Sequence, residues 1–272
     1  MIRFLREIYY LIKQIYILLK KKGSISYNGD IGCFVVKRVI KNELLILPLK
    51  SRKVLTRFNL FDSNTKDIVF RWIDSLKSCK CFLDIGSANG MEGFYVSSKY
   101  NVKVILSDIF IPSLDDLIKT VYLNRKNDNF SSEKIDIFFG GFSNKDSIML
   151  VESSRPPKSG YTQNLLSNSN SSKKKLDKSS LWLYSFTVDS FIKKTKNLEP
   201  SHIKIDVDGF EVKVVEGMKK TLSMPSTKEI MIELNDKTFN KINKIFSKNG
   251  FKEISRGLHQ NGNFDVLYKK FN

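Results

Sequence analysis

Beyond residue 80, short apolar runs alternate with stretches whose apolar residues repeat every three or four positions. The runs have the length of buried strands and the intervals have the period of helices. This alternation favours an α/β fold with a doubly wound, mostly parallel sheet. The last two strands leave no room for a helix between them, so we expect an antiparallel hairpin at one edge. The predicted strands are residues 81–85, 102–106, 135–139, 202–207, 229–234, 251–255 and 264–268, and the clearest helices are 212–222 and 237–247.

Residues 1–22 form a separate pattern, that of a basic amphipathic helix. Its apolar residues, from Phe4 to Leu19, fall at helical spacing among arginines and lysines. Lys13 and Gln14 interrupt the apolar run, which makes it a poor membrane span, and no cleavage site of a signal peptide follows. Two interpretations stay open: the helix packs against the rest of the chain, or it makes a peripheral contact with the inner face of the membrane.

Residues 23–78 predict a small accessory unit between this helix and the large sheet. Two apolar runs, 32–40 and 44–49, flank a polar turn and indicate a β-hairpin. A helix is expected over residues 64–76, where apolar side chains share one face.

The main α/β domain is expected over residues 79–272. Within it, residues 145–189 separate the third and fourth strands and are rich in Ser, Asn and Lys. Ordering such a polar crossover costs conformational entropy that burial does not offset. We therefore predict a mobile insertion on the substrate side.

The chain of 272 residues carries 46 basic and 28 acidic side chains, a formal net charge of +18. Such an excess attracts phosphate, anionic lipid or acidic glycans, but most of it is lysine scattered singly. This distribution favours a solvated surface and argues against a nucleic-acid partner. Cys33, Cys79 and Cys81 form no pattern of metal ligands, and their odd number indicates a reducing, cytoplasmic compartment.

The first predicted strand runs into the pattern Asp-x-Gly-x-x-x-Gly. Glycines here let the backbone turn sharply and approach a ligand, although a plain turn has the same composition. A dinucleotide loop would read Gly-x-Gly-x-x-Gly and surround a pyrophosphate with amides. The acidic residue would instead repel phosphate, which disfavours NAD and favours a cationic nucleoside such as S-adenosylmethionine. The candidate cofactor-binding residues in this segment are Asp84, Gly86, Ser87, Asn89 and Gly90.

The second and third strands also end in residues suited to a nucleoside. Asp108 can accept hydrogen bonds from two ribose hydroxyls, or it caps the following helix, where Pro112 suits a first turn. Gly141 and Phe142 follow the third strand, where an adenine ring could lie against them. An ordinary tight turn is the alternative for these two residues.

Acidic residues end the fourth and fifth strands. Asp206 is costly to bury in an apolar strand without a role. Asp208 leads into the next helix, for which capping is an equal alternative. Because parallel strands end at the same edge, Asp206 and Glu233 should lie close enough to share a substrate proton or a divalent cation. His202 begins the fourth strand, where a structural role is the alternative to a catalytic one.

Residues 204–211 read Lys-Ile-Asp-Val-Asp-Gly-Phe-Glu. This stretch resembles the Lys-Ile-Asp-Val-Glu-Gly-x-Glu motif of the FkbM family of S-adenosylmethionine-dependent methyltransferases. Residues 187–191 resemble the family's Thr-Leu-Asp-Asp element, 159–162 its Gly-x-Ser segment, and Glu233 its terminal Val-Glu. The resemblance covers about residues 82–235.

The resemblance implies a class I (Rossmann-like) methyltransferase domain with a seven-stranded sheet. It also implies O-methylation of a hydroxyl on a sugar, glycan or other small-molecule acceptor. The protein would have to align the acceptor oxygen and help remove its proton. RNA methylation, suggested by the charge, and a binding protein that has lost catalysis stay open as alternatives. The candidate catalytic residues are Asp206, as base or cation ligand, with His202, Asp208 and Glu233 in support.

Overall fold

The computed structural model describes residues 2–61, 67–127, 129–153, 165–166, 179–196, 199–259 and 262–271. In the first part of the chain a long helix and a three-stranded antiparallel sheet precede two shorter helices. These elements are α1 (Ile2–Lys20), β1 (Ser24–Asn28), β2 (Cys33–Ile40), β3 (Glu43–Pro48), α2 (Arg52–Leu60) and α3 (Ile68–Ile73).

The rest of the chain alternates strands and helices, with several short strands in the middle. Its elements are β4 (Cys81–Ile85), α4 (Met91–Tyr100), β5 (Lys103–Asp108), α5 (Ile111–Asn124), a 3-10 turn (Ser132–Lys134), β6 (Ile135–Phe139), β7 (Gly141–Phe142), β8 (Ser147–Ser153), β9 (Leu165–Leu166), β10 (Ser179–Phe186), α6 (Val188–Thr195), β11 (His202–Ile205), α7 (Glu211–Glu216), α8 (Lys219–Ser223), β12 (Glu229–Leu234), α9 (Asp236–Lys248), β13 (Phe251–Leu258) and β14 (Phe264–Lys270).

A seven-stranded sheet with the order β13-β14-β12-β11-β4-β5-β6 forms the centre of the molecule. Neighbouring strands run parallel from β12 to β6, whereas β14 is antiparallel to both β12 and β13. All seven predicted strands are therefore present, and the predicted antiparallel hairpin lies at one edge. The expected doubly wound, mostly parallel sheet is confirmed.

Helices cover both faces of this sheet, and every residue of β4 is buried as a result. Side chains alternate along a strand, so Phe82 enters the core beneath α3, α4 and α5, whereas Leu83 enters the core beneath α6, α7 and α9. The first of these cores also takes in Val36 and Leu45 from the three-stranded sheet. The accessory unit thus packs directly on the main domain.

The accessory sheet has one strand more than the predicted hairpin. Strands β2 and β3 correspond to the two predicted runs, and β1 pairs antiparallel with β2. The sequence of β1, Ser-Ile-Ser-Tyr-Asn, is largely polar and exposed. It lies at the sheet edge and buries too little to produce a strand pattern.

The helix predicted over 64–76 is shorter, and a second helix precedes it. Helix α3 begins after Asp67, whose side chain accepts a hydrogen bond from the backbone N–H of Phe70 at 3.0 Å. Residues 62–66 lie outside the described chain. Helix α2 was not predicted: it has only nine residues, and Val54, Leu55 and Phe58 form a short buried stripe. A stripe this short does not produce a clear helical period in the sequence.

The segment 145–189 is in part more ordered than the predicted mobile insertion. Strands β8 and β10 pair antiparallel, and β10 also runs parallel to β7. Backbone pairing satisfies main-chain groups, and it offsets part of the entropy cost expected from the polar composition. Residues 154–164 and 167–178 lie outside the described residues, and the segment compared with Gly-x-Ser lies among them.

The helix predicted over 212–222 is divided into α7 and α8. The break lies at Gly217, where a Cβ atom would stand 2.1 Å from the carbonyl oxygen of Ser143. The close approach of another backbone therefore requires glycine at this position.

Candidate active site

The parallel strands β4, β5, β6, β11 and β12 all end at the same edge of the sheet. Open α/β sheets bind their ligands at this carboxyl edge. Two cavities open there, and Asp206 and Asp208, which follow β11, line both of them.

The first cavity, called the apolar cavity, lies where β4, β5 and β6 end. Glycines and apolar side chains make most of its wall. The ring of Phe142 lies 5.3 Å from the rings of both Phe138 and Phe191, centroid to centroid, which fixes its position. The lining residues are Ile85, Gly86, Ser107, Asp108, Ile109, Phe110, Ser113, Gly140, Gly141, Phe142, Asp206, Val207, Asp208 and Phe210.

Asp108 contributes a carboxylate to the wall of the apolar cavity. Its Oδ2 accepts the backbone N–H of Ala88 and its Oδ1 accepts that of Phe110, both at 2.8 Å. Burial raises the pKa of Asp108 to about 6. Helix α5 has Phe110 as its N-cap, so Asp108 is not the cap that the sequence left open. The backbone N–H of Ile109 also bonds to this carboxylate, so about one of its roughly four acceptor sites stays available for a further donor, such as a hydroxyl.

Gly86 holds the loop after β4 against the loop after β11. Its φ angle is +83°, and a Cβ atom there would lie 1.8 Å from the carbonyl oxygen of Asp206. The backbone N–H groups of Gly86 and Ser87 both donate to the carbonyl of Ser107, at 2.9 and 3.0 Å. Glycine is thus required by the approach of the chain's own backbone, in addition to any ligand.

The second cavity, called the charged cavity, has a volume of about 410 Å³ and lies between α2 and the ends of β11, β12 and β14. Six acidic and four basic side chains line it. Its lining residues are Lys53, Arg57, Leu60, Phe61, Asp67, Val69, Glu92, Lys204, Asp206, Asp208, Glu233, His259, Asn263 and Asp265.

Lys204 is buried at the base of the charged cavity between two carboxylates. Its Nζ lies 3.5 Å from Oδ1 of Asp84 and 3.3 Å from Oδ2 of Asp206. Burial raises the pKa of Asp84 to about 6. Burial acts in the same direction on Asp206, but the positive charges of Lys204 and Arg57 outweigh it and lower the pKa of Asp206. Asp206 is therefore an ionised, weakly basic carboxylate.

Arg57 joins α2 to the main domain through Glu92 of α4. Its guanidinium forms an ion pair with the Glu92 carboxylate, which is almost completely buried. The negative charge of Glu92 raises the pKa of Arg57 further above its ordinary value. This pair fixes α2 as one wall of the charged cavity.

His259 lies between two carboxylates on the opposite side of the charged cavity. Its Nε2 is 2.7 Å from Oδ2 of Asp265, and its Nδ1 is 3.3 Å from Oε1 of Glu233. The hydrogen bond with Asp265 raises the pKa of His259 to about 9. Burial, together with the charges of Asp206 and Asp265, raises the pKa of Glu233 to about 7.

Asp208 is the most accessible acid at the junction of the two cavities. Desolvation, followed by the negative charges of Asp206 and Glu233, raises the pKa of Asp208 to about 7. Its φ angle is +50°, as is that of Ala88 in the loop after β4. Non-glycine residues rarely adopt this conformation, and they concentrate at functional sites.

The structure brings most of the predicted site residues together. Asp206 and Asp208 line both cavities, and Glu233 lines the charged one. Of the predicted cofactor-binding residues, one group lines the apolar cavity and the other is buried and lines neither of these two cavities. The first group is Gly86, Asp108, Gly141 and Phe142, and the second is Asp84, Ser87, Asn89 and Gly90.

The structure places His202 away from this edge. His202 begins β11, and its register partners, Phe82 and Glu229, lie toward the amino ends of β4 and β12. Its Nδ1 is 3.0 Å from the hydroxyl of Ser201, and burial lowers the pKa of His202 to about 4. The supporting catalytic role considered for His202 is therefore corrected to a structural one.

The four basic residues of the charged cavity were all missed from the sequence: Lys53, Arg57, Lys204 and His259. A signal existed for Lys204, because residues two apart on a strand share a face and Asp206 is two residues away. A signal also existed for His259. The last strand runs antiparallel to β12, so the turn before it returns to the carboxyl edge. Arg57 lies on the unpredicted helix α2 and had no local signal.

The apolar cavity fits the cofactor suggested by the sequence. Three carboxylates line it, those of Asp108, Asp206 and Asp208, together with no Lys or Arg side chain. Phosphate would be repelled there, whereas a cationic nucleoside matches both the charges and the apolar wall. Asp108 would hold the ribose hydroxyls, and Gly141 and Phe142 would contact the base.

Asp84 does not line the apolar cavity and has no exposed surface, since it is buried beside Lys204. Its Oδ2 has no hydrogen-bond partner among the described residues. Within the described part of the chain, no group of three or more His, Cys, Asp or Glu side chains is arranged to hold a metal ion. The divalent cation considered from the sequence therefore has no ligand set in that part.

The sheet has the seven-stranded, Rossmann-like architecture that the sequence implied, with the candidate site at the carboxyl edge of its parallel strands. The sequence model of the methyltransferase FkbM domain matches residues 112–253, and the chain belongs to this family of S-adenosylmethionine-dependent methyltransferases. No curated protein matches the sequence.

The solved structures similar to this chain include two methyltransferases of different kinds. The methyltransferase FkbM from Methylobacillus flagellatus KT is 13% identical, with a TM-score of 0.48, and the match covers 70% of this chain and 43% of that one. This chain thus spans less than half the length of that protein. The precorrin-6y C5,15-methyltransferase from Geobacter metallireducens GS-15 is 7% identical, with a TM-score of 0.45, and the match covers 77% of this chain and 90% of that one.

Proposed function

We propose that this protein transfers the methyl group of S-adenosylmethionine to a hydroxyl of a polar acceptor, such as a sugar, a glycan or another small molecule. The observation that carries the proposal is the wall shared by the two cavities. Asp206 and Asp208 separate a cavity suited to a nucleoside from one lined by ten charged side chains. A donor and an acceptor bound in these cavities meet at the two carboxylates.

The residues of the charged cavity suit an uncharged acceptor that is rich in hydroxyl groups. Carboxylates accept hydrogen bonds from hydroxyls, and Lys, Arg and protonated His donate to their oxygens. Lys53 of α2 lines this cavity and carries three donors on its ammonium group, so it can contribute to holding such an acceptor. Both ring nitrogens of His259 already face carboxylates. Acids outnumber bases six to four in this cavity, which disfavours the phosphodiester backbone of RNA.

Asp208 is the proposed general base. When bound, S-adenosylmethionine supplies a methyl group already activated by its sulfonium. Asp208 would accept the proton of the acceptor hydroxyl and so free its oxygen to receive the methyl group. A base acts best with a pKa near the working pH, which suits Asp208 at about 7. Asp206, ionised beside Lys204, orients the acceptor by accepting a hydrogen bond.

Calorimetry and a methyl-transfer assay test the proposal. The protein should bind S-adenosylmethionine and S-adenosylhomocysteine but not NAD. With a panel of sugars and glycans, Asp208→Asn should lower kcat by about a hundredfold to ten-thousandfold, since general-base catalysis contributes about that much. Cofactor affinity should fall much less than kcat, because Asp208 is only one of three carboxylates that line the apolar cavity.

Asp236→Asn is the matched control, because Asp236 is an exposed acid at the start of α9. Transfer to bulk RNA instead of the panel would replace the proposed acceptor class. Cofactor binding without transfer to any acceptor class would favour a binding protein.

A further inference from the structure

Helix α1 carries an apolar stripe that the described remainder of the chain leaves uncovered. Leu5, Ile12 and Leu19 are 58%, 61% and 58% exposed. Spaced by seven residues, they lie above one another on one face of the helix. Ile8 and Tyr16 lie on the same face and are also exposed. Exposed apolar surface of this extent on one helix marks a contact with another molecule or a membrane.

The other face of α1 is the one that packs on the protein. Leu18 is fully buried in the core, and the side-chain amide of Asn59 in α2 donates to both the backbone carbonyl and the side-chain oxygen of Gln14. Arg52 at the start of α2 lies 3.4 Å from Glu7. These contacts hold α1 alongside α2 and leave the stripe turned outward. Packing on the protein and contact with a membrane are thus compatible, because the two contacts would use different faces of α1.

A basic row borders the stripe. Arg6, Lys13 and Lys20 each follow one residue after a stripe residue, and all three are exposed. Helical rotation of about 100° per residue places this row along one flank of the stripe. Glu7 is the only acidic residue between positions 2 and 20.

We propose that α1 lies on the surface of an anionic lipid bilayer, with the stripe among the acyl chains and the basic row at the headgroups. An apolar face bordered by Lys and Arg is the pattern of interfacial helices. A second copy of the chain is the weaker occupant, because its own α1 offers the basic row only Glu7 as a counter-charge. Among the described residues, no helix is long and apolar enough to cross a membrane.

This contact goes beyond the methyl-transfer chemistry and has a consequence for it. Helix α2 is held by α1 on one side and contributes Lys53 and Arg57 to the charged cavity on the other. A bilayer beneath α1 therefore places this wall of the cavity close to the headgroups.

Vesicle sedimentation of the full chain tests the proposal. We expect binding to vesicles of phosphatidylcholine with phosphatidylglycerol and much weaker binding to phosphatidylcholine alone. The triple variant Arg6→Gln, Lys13→Gln, Lys20→Gln should bind at least tenfold more weakly, because each basic residue near an anionic surface contributes about fivefold. The variant Leu5→Gln, Ile12→Gln, Leu19→Gln should lose at least as much, because its stripe no longer inserts.

The matched control is Lys237→Gln, Lys244→Gln, Lys248→Gln, which removes the same charge from exposed positions of α9. It should change partitioning less than threefold. Point variants are used because deleting α1 would remove Leu18 from the core, and circular dichroism checks that each folds. Equal partitioning of all variants, or dimerisation lost in the stripe variant without vesicle binding, would overturn the proposal. Vesicle binding and dimerisation are both measured without S-adenosylmethionine, so failure of the membrane proposal does not affect the proposed methyl transfer.

Discussion

Replacing Lys204 by methionine should destabilise the protein strongly, because it leaves two carboxylates without their shared cation. Lys204 is 3% exposed and Asp84 is fully buried, so water cannot take the place of the ammonium group. The side chain of Asp206 is 27% exposed and that of Asp84 is not exposed at all, so most of the penalty falls on Asp84.

The expected cost is roughly 3–5 kcal/mol, the range for removing one partner of a buried ion pair. Lys103→Met is the comparison, because Lys103 pairs with Asp136 at 2.6 Å in a partly exposed position. Surface pairs of that kind contribute about 0–1 kcal/mol. A second comparison is the double variant Lys204→Met, Asp84→Asn. It removes the orphaned charge and should recover about 0.5–3 kcal/mol relative to additivity.

The cost should depend on pH in a defined direction. In the wild type the pKa of Asp84 is raised to about 6, so its contribution to stability is present below its ordinary pKa and is lost as pH rises through about 6. Without Lys204 the pKa of Asp84 rises further. Over the pH range in which Asp84 is protonated in the folded variant but ionised in the folded wild type, the variant loses up to about 1.4 kcal/mol of stability per pH unit relative to the wild type. Its deficit should therefore be smaller near pH 5 than near pH 8.

Urea unfolding followed by circular dichroism at both pH values measures these differences. A loss below about 1 kcal/mol near pH 8, on the scale of Lys103→Met, would refute the buried pair. An equal loss at both pH values would refute the assignment of the penalty to ionised Asp84.

Three further predictions follow from close backbone contacts and from His259. Gly86→Ala should lower the melting temperature and S-adenosylmethionine affinity together, because the new Cβ would stand 1.8 Å from the Asp206 carbonyl oxygen. Thermal unfolding and calorimetry measure the two effects, and an unchanged affinity would show that this contact does not shape the cofactor site. Gly217→Ala should lower the melting temperature without altering the affinity of the folded protein, since its Cβ would crowd Ser143 and Thr187, which line neither cavity. Gly209→Ala is the control for the backbone cost at Gly86, because its φ is also positive, at +99°, and its methyl group would meet no described atom within 4 Å. The stability contributed by His259 is present below its ordinary pKa and is lost as pH rises through about 9. His259→Gln should therefore flatten the fall in melting temperature between about pH 7 and pH 10. An unchanged pH profile would show that the bond to Asp265 does not cause this fall.

The sheet and the edge that carries the site could be predicted because they depend on short-range patterns. Five apolar runs of strand length, separated by helices, leave few arrangements other than a parallel sheet. Parallel strands end at one edge, which is enough to bring Asp206, Asp208 and Glu233 together. The sequence could not show that Lys204 keeps the Asp206 carboxylate ionised. This effect depends on burial and on the strand register, which places Lys204 opposite Asp84.

Other features depend on contacts between distant segments. Arg57 reaches Glu92 across 35 positions of the chain, and nothing near either residue announces the pair. In α1 the helical pattern was clear from the sequence, but the sequence did not show which face packs on α2. The structure shows this face through buried Leu18 and the contact of Gln14 with Asn59. Gly86 was predicted as a glycine that lets the backbone approach a ligand, and the neighbour that the structure shows is the Asp206 backbone.

That contact has a consequence for how the site can vary over evolution. The atom that confronts Gly86 is a main-chain carbonyl, and every amino acid presents one. On the proposed function, position 206 can therefore exchange its side chain, and with it the contact to an acceptor, without moving the loop after β4, as long as Lys204 keeps Asp84 as its counter-ion. Position 86 has no such freedom, since any side chain collides with that carbonyl. New specificities can thus arise on one side of this junction while the other stays fixed.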